Sequence, residues 1–367
     1  MKRQLLAVAV AAMLVLAGCN GGSPGGTATP DANNASANGS QDSLSDVSAL
    51  PGVNESAGVY NATALWANHF ESLYSNDTHF TEEMRVEMGS RVARIEYTNG
   101  SDGDAFVRTN ETAGTSDEYW SSGSVVAKRN ASATPPVTIS QGSTPMSMSY
   151  SFSAAIFRII PTATLSGVSL SRDGTTTLDG QEMYRFDIGR FNSSVSSSPL
   201  NTVQNATDAS GTVLVTDDGI VRRADITATL ESDGETQTAT MNYSVSEIGT
   251  ATAAQPDWAA APRASLSTTA DGNVLALELK DGSIPAGTEI EVGSRLTTYG
   301  TVTLSEELTA GETLYVVAGG QFSATTADAQ IGEQPPIPEQ PASFGSSSIT
   351  LTTTVDGKEL QYALPSN

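Results

Sequence analysis

The chain has 367 residues, with 41 acidic against 18 basic side chains, a formal net charge of −23 and a single cysteine. So negative a chain cannot join a phosphate backbone through counterion release, so nucleic acid is not an expected partner. One cysteine excludes an internal disulfide and a cysteine-based metal centre, and the fold has to hold by packing and backbone pairing.

Lysine is scarce (Lys2, Lys128, Lys280 and Lys358), the other cations being arginine. An acidic, lysine-poor surface fits a protein that works in very high salt, where the Debye length falls to about 3 Å and self-repulsion is screened. The acids are scattered among alternating apolar positions rather than grouped in blocks, which argues against a disordered acidic chain.

Residues 1–19 read MKRQLLAVAVAAMLVLAGC. Lys2 and Arg3 make a basic start, Leu5 to Leu16 an apolar run, and Leu16-Ala17-Gly18-Cys19 a small-residue close before the cysteine. The run is too short for a stop-transfer helix across a hydrocarbon core of about 30 Å, so it predicts an export signal ending in a lipobox, with Cys19 as the lipidated N-terminus. Two acyl chains there would anchor the protein stably, whereas one would not. Residues 20–57, rich in Gly, Ser, Asn and Pro, predict a disordered tether with an end-to-end distance on the order of 35 Å.

Asn-x-Ser/Thr sequons are dense up to residue 244: Asn34, Asn38, Asn54, Asn61, Asn76, Asn99, Asn110, Asn130, Asn192, Asn205 and Asn242 are glycosylation candidates. None occurs beyond it, which marks a compositional boundary.

The first ordered element is expected over Val59–Tyr74. There Ala62, Leu65, Trp66, His69, Phe70 and Leu73 recur at helical spacing and form one apolar stripe. A helix so patterned needs a sheet to lie on. Asp-Gly pairs at Asp102, Asp173, Asp179, Asp218, Asp233, Asp271, Asp281 and Asp356 punctuate the remaining chain as hairpins. Period-two alternation places Tyr184, Phe186 and Ile188 on one face, Ile220, Ala224, Ile226, Ala228 and Leu230 on another strand's face, and Ala239, Met241, Tyr243 and Val245 on a third. Such patterning means an antiparallel sheet with one covered and one wet face. Residues 145–161, PMSMSYSFSAAIFRIIP, are spaced for a short apolar helix that Pro161 ends.

The lipobox, tether, amphipathic helix, the segment Gly211-Thr-Val-Leu-Val-Thr-Asp-Asp-Gly-Ile-Val-Arg222 and the closing Pro256-Asp257-Trp258 resemble haloarchaeal surface lipoproteins of unknown function over residues 1–260. The implied architecture is similar to the LolA-like lipoprotein-carrier and LppX-like lipid-binding folds, a curved antiparallel half-barrel packed on an N-terminal helix. In such folds a groove takes an acyl chain, and the resemblance implies Trp66, Phe70, Met148, Tyr150, Phe152, Ile156 and Phe157 as its lining. Met and aromatic side chains suit an adaptable apolar site. The alternative is that the same residues complete a solid core. No catalytic residues come with the resemblance.

Residues 263–367 fall outside that pattern. Strands are predicted at 264–270, 274–280, 288–292, 296–304, 314–318, 347–355 and 358–362, an immunoglobulin-like β-sandwich. Gln334–Pro341 reads as an extended, exposed connection. The whole is thus mainly β, with an α+β first domain at 58–260 and a sandwich at 263–367.

Chemistry is sparsely signalled. His69 sits on the apolar stripe and reads as packed; His79 has no partner close in sequence. Paired acids at Asp102 and Asp104, Asp217 and Asp218, and Glu306 and Glu307 read as turns, and none completes a calcium loop. No catalytic, metal or cofactor site is expected. The sequence therefore predicts a non-enzymatic protein on the outer face of a cell membrane, attached through Cys19, that binds an apolar or amphipathic ligand. The alternative is a structural or adhesive envelope protein whose terminal sandwich meets a protein partner.

Overall fold

A computed structural model describes residues 47–54, 58–59, 61–74, 78–100, 103–112, 116–142, 168–191, 206–232, 235–269, 272, 274–294, 297–317, 328–332 and 349–364. Cys19, residues 20–46 of the tether, the predicted 145–161 helix with Met148, Tyr150, Phe152, Ile156 and Phe157, and sequons Asn34, Asn38, Asn76, Asn192 and Asn205 lie outside the described residues. Residues 47–54, expected as the end of the disordered tether, are instead ordered: Val47–Ala49 form a short 3-10 helix, and Val47, Leu50 and Val53 are buried, because this stretch clusters large apolar side chains, which residues 20–43 lack.

The chain is mainly β. In order it forms β1 (Val53–Asn54), β2 (Gly58–Val59), α1 (Ala62–Tyr74), β3 (Phe80–Met88), β4 (Arg91–Asn99), β5 (Ala105–Glu111), β6 (Ser116–Ser122), β7 (Val125–Asn130), β8 (Val137–Gln141), β9 (Val168–Leu178), β10 (Gln181–Phe191), β11 (Ala206–Val215), β12 (Val221–Ser232) and β13 (Glu235–Ser246). After these come β14 (Arg263–Thr268), β15 (Val274–Asp281), β16 (Ser283–Ile284), β17 (Glu289–Ser294), β18 (Thr297–Thr303), β19 (Leu308–Thr309), β20 (Thr313–Val317), β21 (Asp328–Ile331), β22 (Ile349–Val355) and β23 (Lys358–Ala363). The helix begins at the first residue of its apolar stripe, three residues later than the expected Val59. Asn61 caps it, accepting the Ala64 N–H at 3.1 Å, which a residue inside the first turn could not do.

Two compact units share the chain. The first takes residues 1–76, 86–89 and 152–244, the second 77–85, 90–151 and 245–367. This differs from the expected division at 260. Contacts follow sheet pairing rather than chain order, so segments far apart in sequence fall in one unit.

In the first unit β1, β2, β9, β10, β11, β12 and β13 pair antiparallel in succession. The β9–β10 turn is Asp179-Gly180, with φ of 52° and 82°, the left-handed pair that a two-residue hairpin requires. The predicted alternation holds: Tyr184, Phe186 and Ile188, then Ala224 and Ile226, then Met241 and Tyr243 are buried. Gly211 has φ 142°, and a Cβ there would lie 1.9 Å from the Asp225 carbonyl oxygen of β12, so no other residue fits this approach of the two strands.

In the second unit β4 to β8 form an antiparallel meander. β23 then lies parallel to β8, and β22, β17 and β18 continue the sheet antiparallel. A second sheet runs β14-β15-β20-β21. One buried cluster joins Trp120, Ala127 and Ile139 with Leu277, Leu351 and Leu360. The expected sandwich is therefore present, but 263–367 does not supply all of it. Strands from before residue 145 build part of one layer, because the terminal hairpin seals the bare edge of β8. Inside the cluster the hydroxyl of Tyr362, buried with no partner among the described residues, is pushed well above the usual phenol range by desolvation.

Candidate functional site

The apolar stripe of α1 settles on the sheet of the first unit. Leu65, Trp66, His69 and Leu73 are buried, while Phe70 is half-buried and stacks on Tyr74 with ring centroids 5.3 Å apart. Trp66 stands 4.6 Å from the His69 ring and meets Tyr243 of β13 edge-on at 5.1 Å. Quadrupole-favoured edge contacts of this kind add to the area the rings bury.

His69 is the polar centre of this layer. Its Nδ1 accepts the Val221 N–H at 3.1 Å, so the ring proton stands on Nε2, which donates to the Tyr243 hydroxyl at 2.7 Å. The histidine joins helix, β12 and β13, and its role is structural, as the apolar stripe implied. Beside it the turn Thr216-Asp217-Asp218-Gly219 docks on the same helix: Asn68 donates to the Asp218 carbonyl at 3.1 Å. Tyr184 donates to the Asp217 carboxylate at 3.2 Å, so these paired acids serve the turn.

One group in the layer is unanswered. The indole N–H of Trp66 is buried and finds no acceptor among the described residues. Of the seven residues expected to line a groove, the structure brings Trp66 and Phe70 together, 5.9 Å apart; the other five lie outside the described residues. Tyr243, which meets both Trp66 and His69, was legible only as one position in a strand's alternation.

The described sequons differ in exposure. Asn54, Asn61 and Asn242 are exposed, whereas Asn99, Asn110 and Asn130 are half-buried. The amide nitrogens of Asn99 and Asn242, the atoms a glycan would use, already donate at 2.8 Å, to the Thr78 carbonyl and the Asp225 carboxylate.

A cleft of about 520 Å³ opens in the second unit, and no sequence motif announced it. Thr81 of β3, Glu96 and Thr98 of β4 and Phe106 of β5 form its floor; Ser246–Glu247 and Thr252–Pro256 form its wall. Glu247 holds φ 54°, a left-handed conformation rare outside glycine, and accepts the Thr81 hydroxyl at 2.9 Å. The wall is pinned: Trp120 donates to the Ala253 carbonyl at 3.0 Å, and Gln255 donates to the Ala259 carbonyl at 2.9 Å. Among the described residues no group of three His, Cys, Asp or Glu side chains is placed to hold a metal ion, and no helix is long and apolar enough to cross a membrane.

A chain of two β units, one of them an antiparallel sheet backed by a helix through an aromatic interface, is the class of protein this fold defines. By sequence the chain belongs to a family of unknown function, DUF7537, whose model matches residues 4–261. No curated protein matches it. Among solved structures it is similar to LprF from Mycobacterium bovis, at 10% identity and TM-score 0.30, covering 53% of this chain and 96% of that one. It is also similar to the Pseudomonas aeruginosa MucA/MucB complex structure, at 11% identity and TM-score 0.25, covering 70% and 87%. A third likeness is to a lipoprotein-sorting protein domain of the outer membrane from Vibrio parahaemolyticus, at 9% identity and TM-score 0.16, covering 52% and 93%. Likenesses of this degree carry no argument about what this chain binds.

Proposed function

We propose that this is a non-catalytic, lipid-anchored protein of the outer cell surface, tethered through Cys19 and residues 20–46, whose helix-on-sheet layer receives an apolar or amphipathic ligand beside Trp66. The observation that carries the reading is the Trp66 indole N–H, buried among His69, Phe70 and Tyr243 without an acceptor among the described residues. A buried donor left unpaired costs about 1–3 kcal/mol, and the carbonyl or ester oxygen of an amphipathic ligand would meet it while its chain lies against the rings. Native mass spectrometry of the full-length protein from its own membranes tests this. A bound lipid that dissociates on activation, and is depleted in Trp66→Phe, is the expected result; a bare polypeptide mass overturns it. Retention of the Cys19 thioether lipid in the same spectrum checks the anchor.

A solid core with a structural or adhesive role is the second reading. It is favoured by His69, which bonds the helix directly to β12 and β13. A bare mass together with a fully protected Val221 amide in hydrogen exchange would support it. Deleting 263–367 is a poor way to separate the readings, because Trp120, Val125, Ala127, Val137 and Ile139 share their core with that segment.

A further inference from the structure

The proposed ligand layer makes no use of the Asn-x-Ser/Thr sequons, and the folded chain does not offer them equally. An N-linked glycan is bulky and hydrophilic, so its asparagine has to present a free amide nitrogen to solvent, with the hydroxyl two residues on within reach of the transferring enzyme. Four sequons have both of these residues described: Asn61 with Thr63, Asn110 with Thr112, Asn130 with Ser132 and Asn242 with Ser244.

Two of the four are held in ladders. Asn110 of β5 pairs with Arg94 on one side and Ser116 on the other, and its Thr112 hydroxyl donates to the Val92 carbonyl at 3.0 Å. The Asn242 amide nitrogen donates to the Asp225 carboxylate at 2.8 Å from within β13. Asn61 is exposed, but its sequon is the cap and first turn of α1: its carbonyl accepts the N–H groups of Ala64 and Leu65 at 3.1 and 3.2 Å. Fitting any of these into a transferase means first opening a ladder or a helix start, at the cost of its backbone hydrogen bonds.

Asn130 is placed differently. It ends β7, and after it Ala131, Ser132, Ala133, Thr134 and Pro136 are exposed. Its Oδ1 accepts the Ser132 N–H at 2.8 Å, an Asx turn that already folds the sequon back on the asparagine. Its amide nitrogen is neither buried nor hydrogen-bonded among the described residues, and the Ser132 hydroxyl has no partner there either. A sugar on the nitrogen leaves the side-chain carbonyl in place, so the Asx turn survives the modification.

We propose that, of these four asparagines, Asn130 alone carries an N-linked glycan, set on the exposed turn between β7 and β8. The Nδ2–C1 bond forms as the bond from the sugar's C1 to a phosphate oxygen of a polyprenyl-phosphate-linked donor breaks; the phosphate leaves with the bonding pair and the amide releases one of its two protons. This rests on the outer-surface reading, because such a donor and its transferase act on exported chains.

Glycopeptide mass spectrometry of the full-length protein from its own cells tests it. Trypsin cuts after Arg129 and Arg158, and residues 130–158 hold one asparagine, so an N-linked mass in that peptide has a single address. The expected result is a saccharide increment on Asn130 that Ser132→Ala abolishes and Ser132→Thr keeps, with Asn61, Asn110 and Asn242 bare. Both substitutions leave the Ser132 N–H bond intact and touch an exposed side chain, so the fold is not at stake. An unmodified 130–158 peptide, an increment that survives Ser132→Ala, or sugar on any of the other three asparagines overturns it. A bare Asn130 beside a lipidated Cys19 removes the glycan and leaves the surface reading standing; an uncleaved leader with an unmodified Cys19 removes both.

Discussion

The imidazole of His69 and the phenol of Tyr243, 174 residues apart in sequence, meet at 2.7 Å beneath α1, and the same ring accepts the backbone N–H of Val221 on its other nitrogen. One side chain therefore ties the first helix to two strands that arrive late in the chain. Both partners are buried, so neither has water to fall back on.

His69→Phe keeps the ring volume and removes both hydrogen bonds. We expect a loss of about 2–4 kcal/mol in urea unfolding, and about 1–2 kcal/mol for Tyr243→Phe, with a double mutant less destabilised than the sum because the two share one bond. Strict additivity would mean that the hydrogen bond contributes nothing.

Gln141 does for the second unit what His69 does for the first. From the end of β8 its amide donates to the Pro262 carbonyl at 2.6 Å and accepts the Ala264 N–H at 2.9 Å, so the side chain pairs like one more residue of a strand. Gln141→Leu leaves both backbone groups unanswered, an expected cost of about 2–3 kcal/mol. Faster hydrogen exchange at Ala264, with little change at the Val221 amide, would localise the effect; equal exchange at Ala264 in parent and variant would contradict it.

Acid should loosen the turn before β20. Glu312 accepts the Thr309 N–H at 2.7 Å and the Thr309 hydroxyl at 2.8 Å, and these bonds hold its carboxyl below the usual value of 4.5. A lowered folded-state pKa means the contribution is complete above the unfolded value and is lost as pH falls through the folded one. Melting temperatures of the parent and Glu312→Gln should therefore differ at neutral pH and converge well below pH 4.5. A constant gap across that range would remove the carboxylate from the account.

Much of the fold was legible because its local periods are clean. The faces of β10, β12 and β13 followed from alternation, since in a sheet with one covered face each apolar position has only one side to go to. The helix was placed by the spacing of Leu65, Trp66, His69 and Leu73, and only its start moved, to where Asn61 caps it. The seven strands expected after residue 263 were found within two residues at each end for the same reason, whereas β16, β19 and β21, each of two to four residues, are too short to show a period and were not expected.

What no local period encodes is which strand accepts which. That β23 runs parallel along β8 depends on an edge left bare by a meander more than 200 residues earlier, and so the division of the chain into units escaped a reading that took composition as its guide. The cleft escaped it too: Thr81, Glu96 and Glu247 are ordinary polar residues in their own strands and turn, and line one cleft only where β3, β4 and the 246–256 segment converge. The sequence by itself determined the elements, their faces and the charge of the surface, because these rest on neighbours within a few residues. The tertiary structure alone decided the partners of His69, the edge that receives the last strand and the walls of the cleft, because each is a contact between residues that the chain holds far apart.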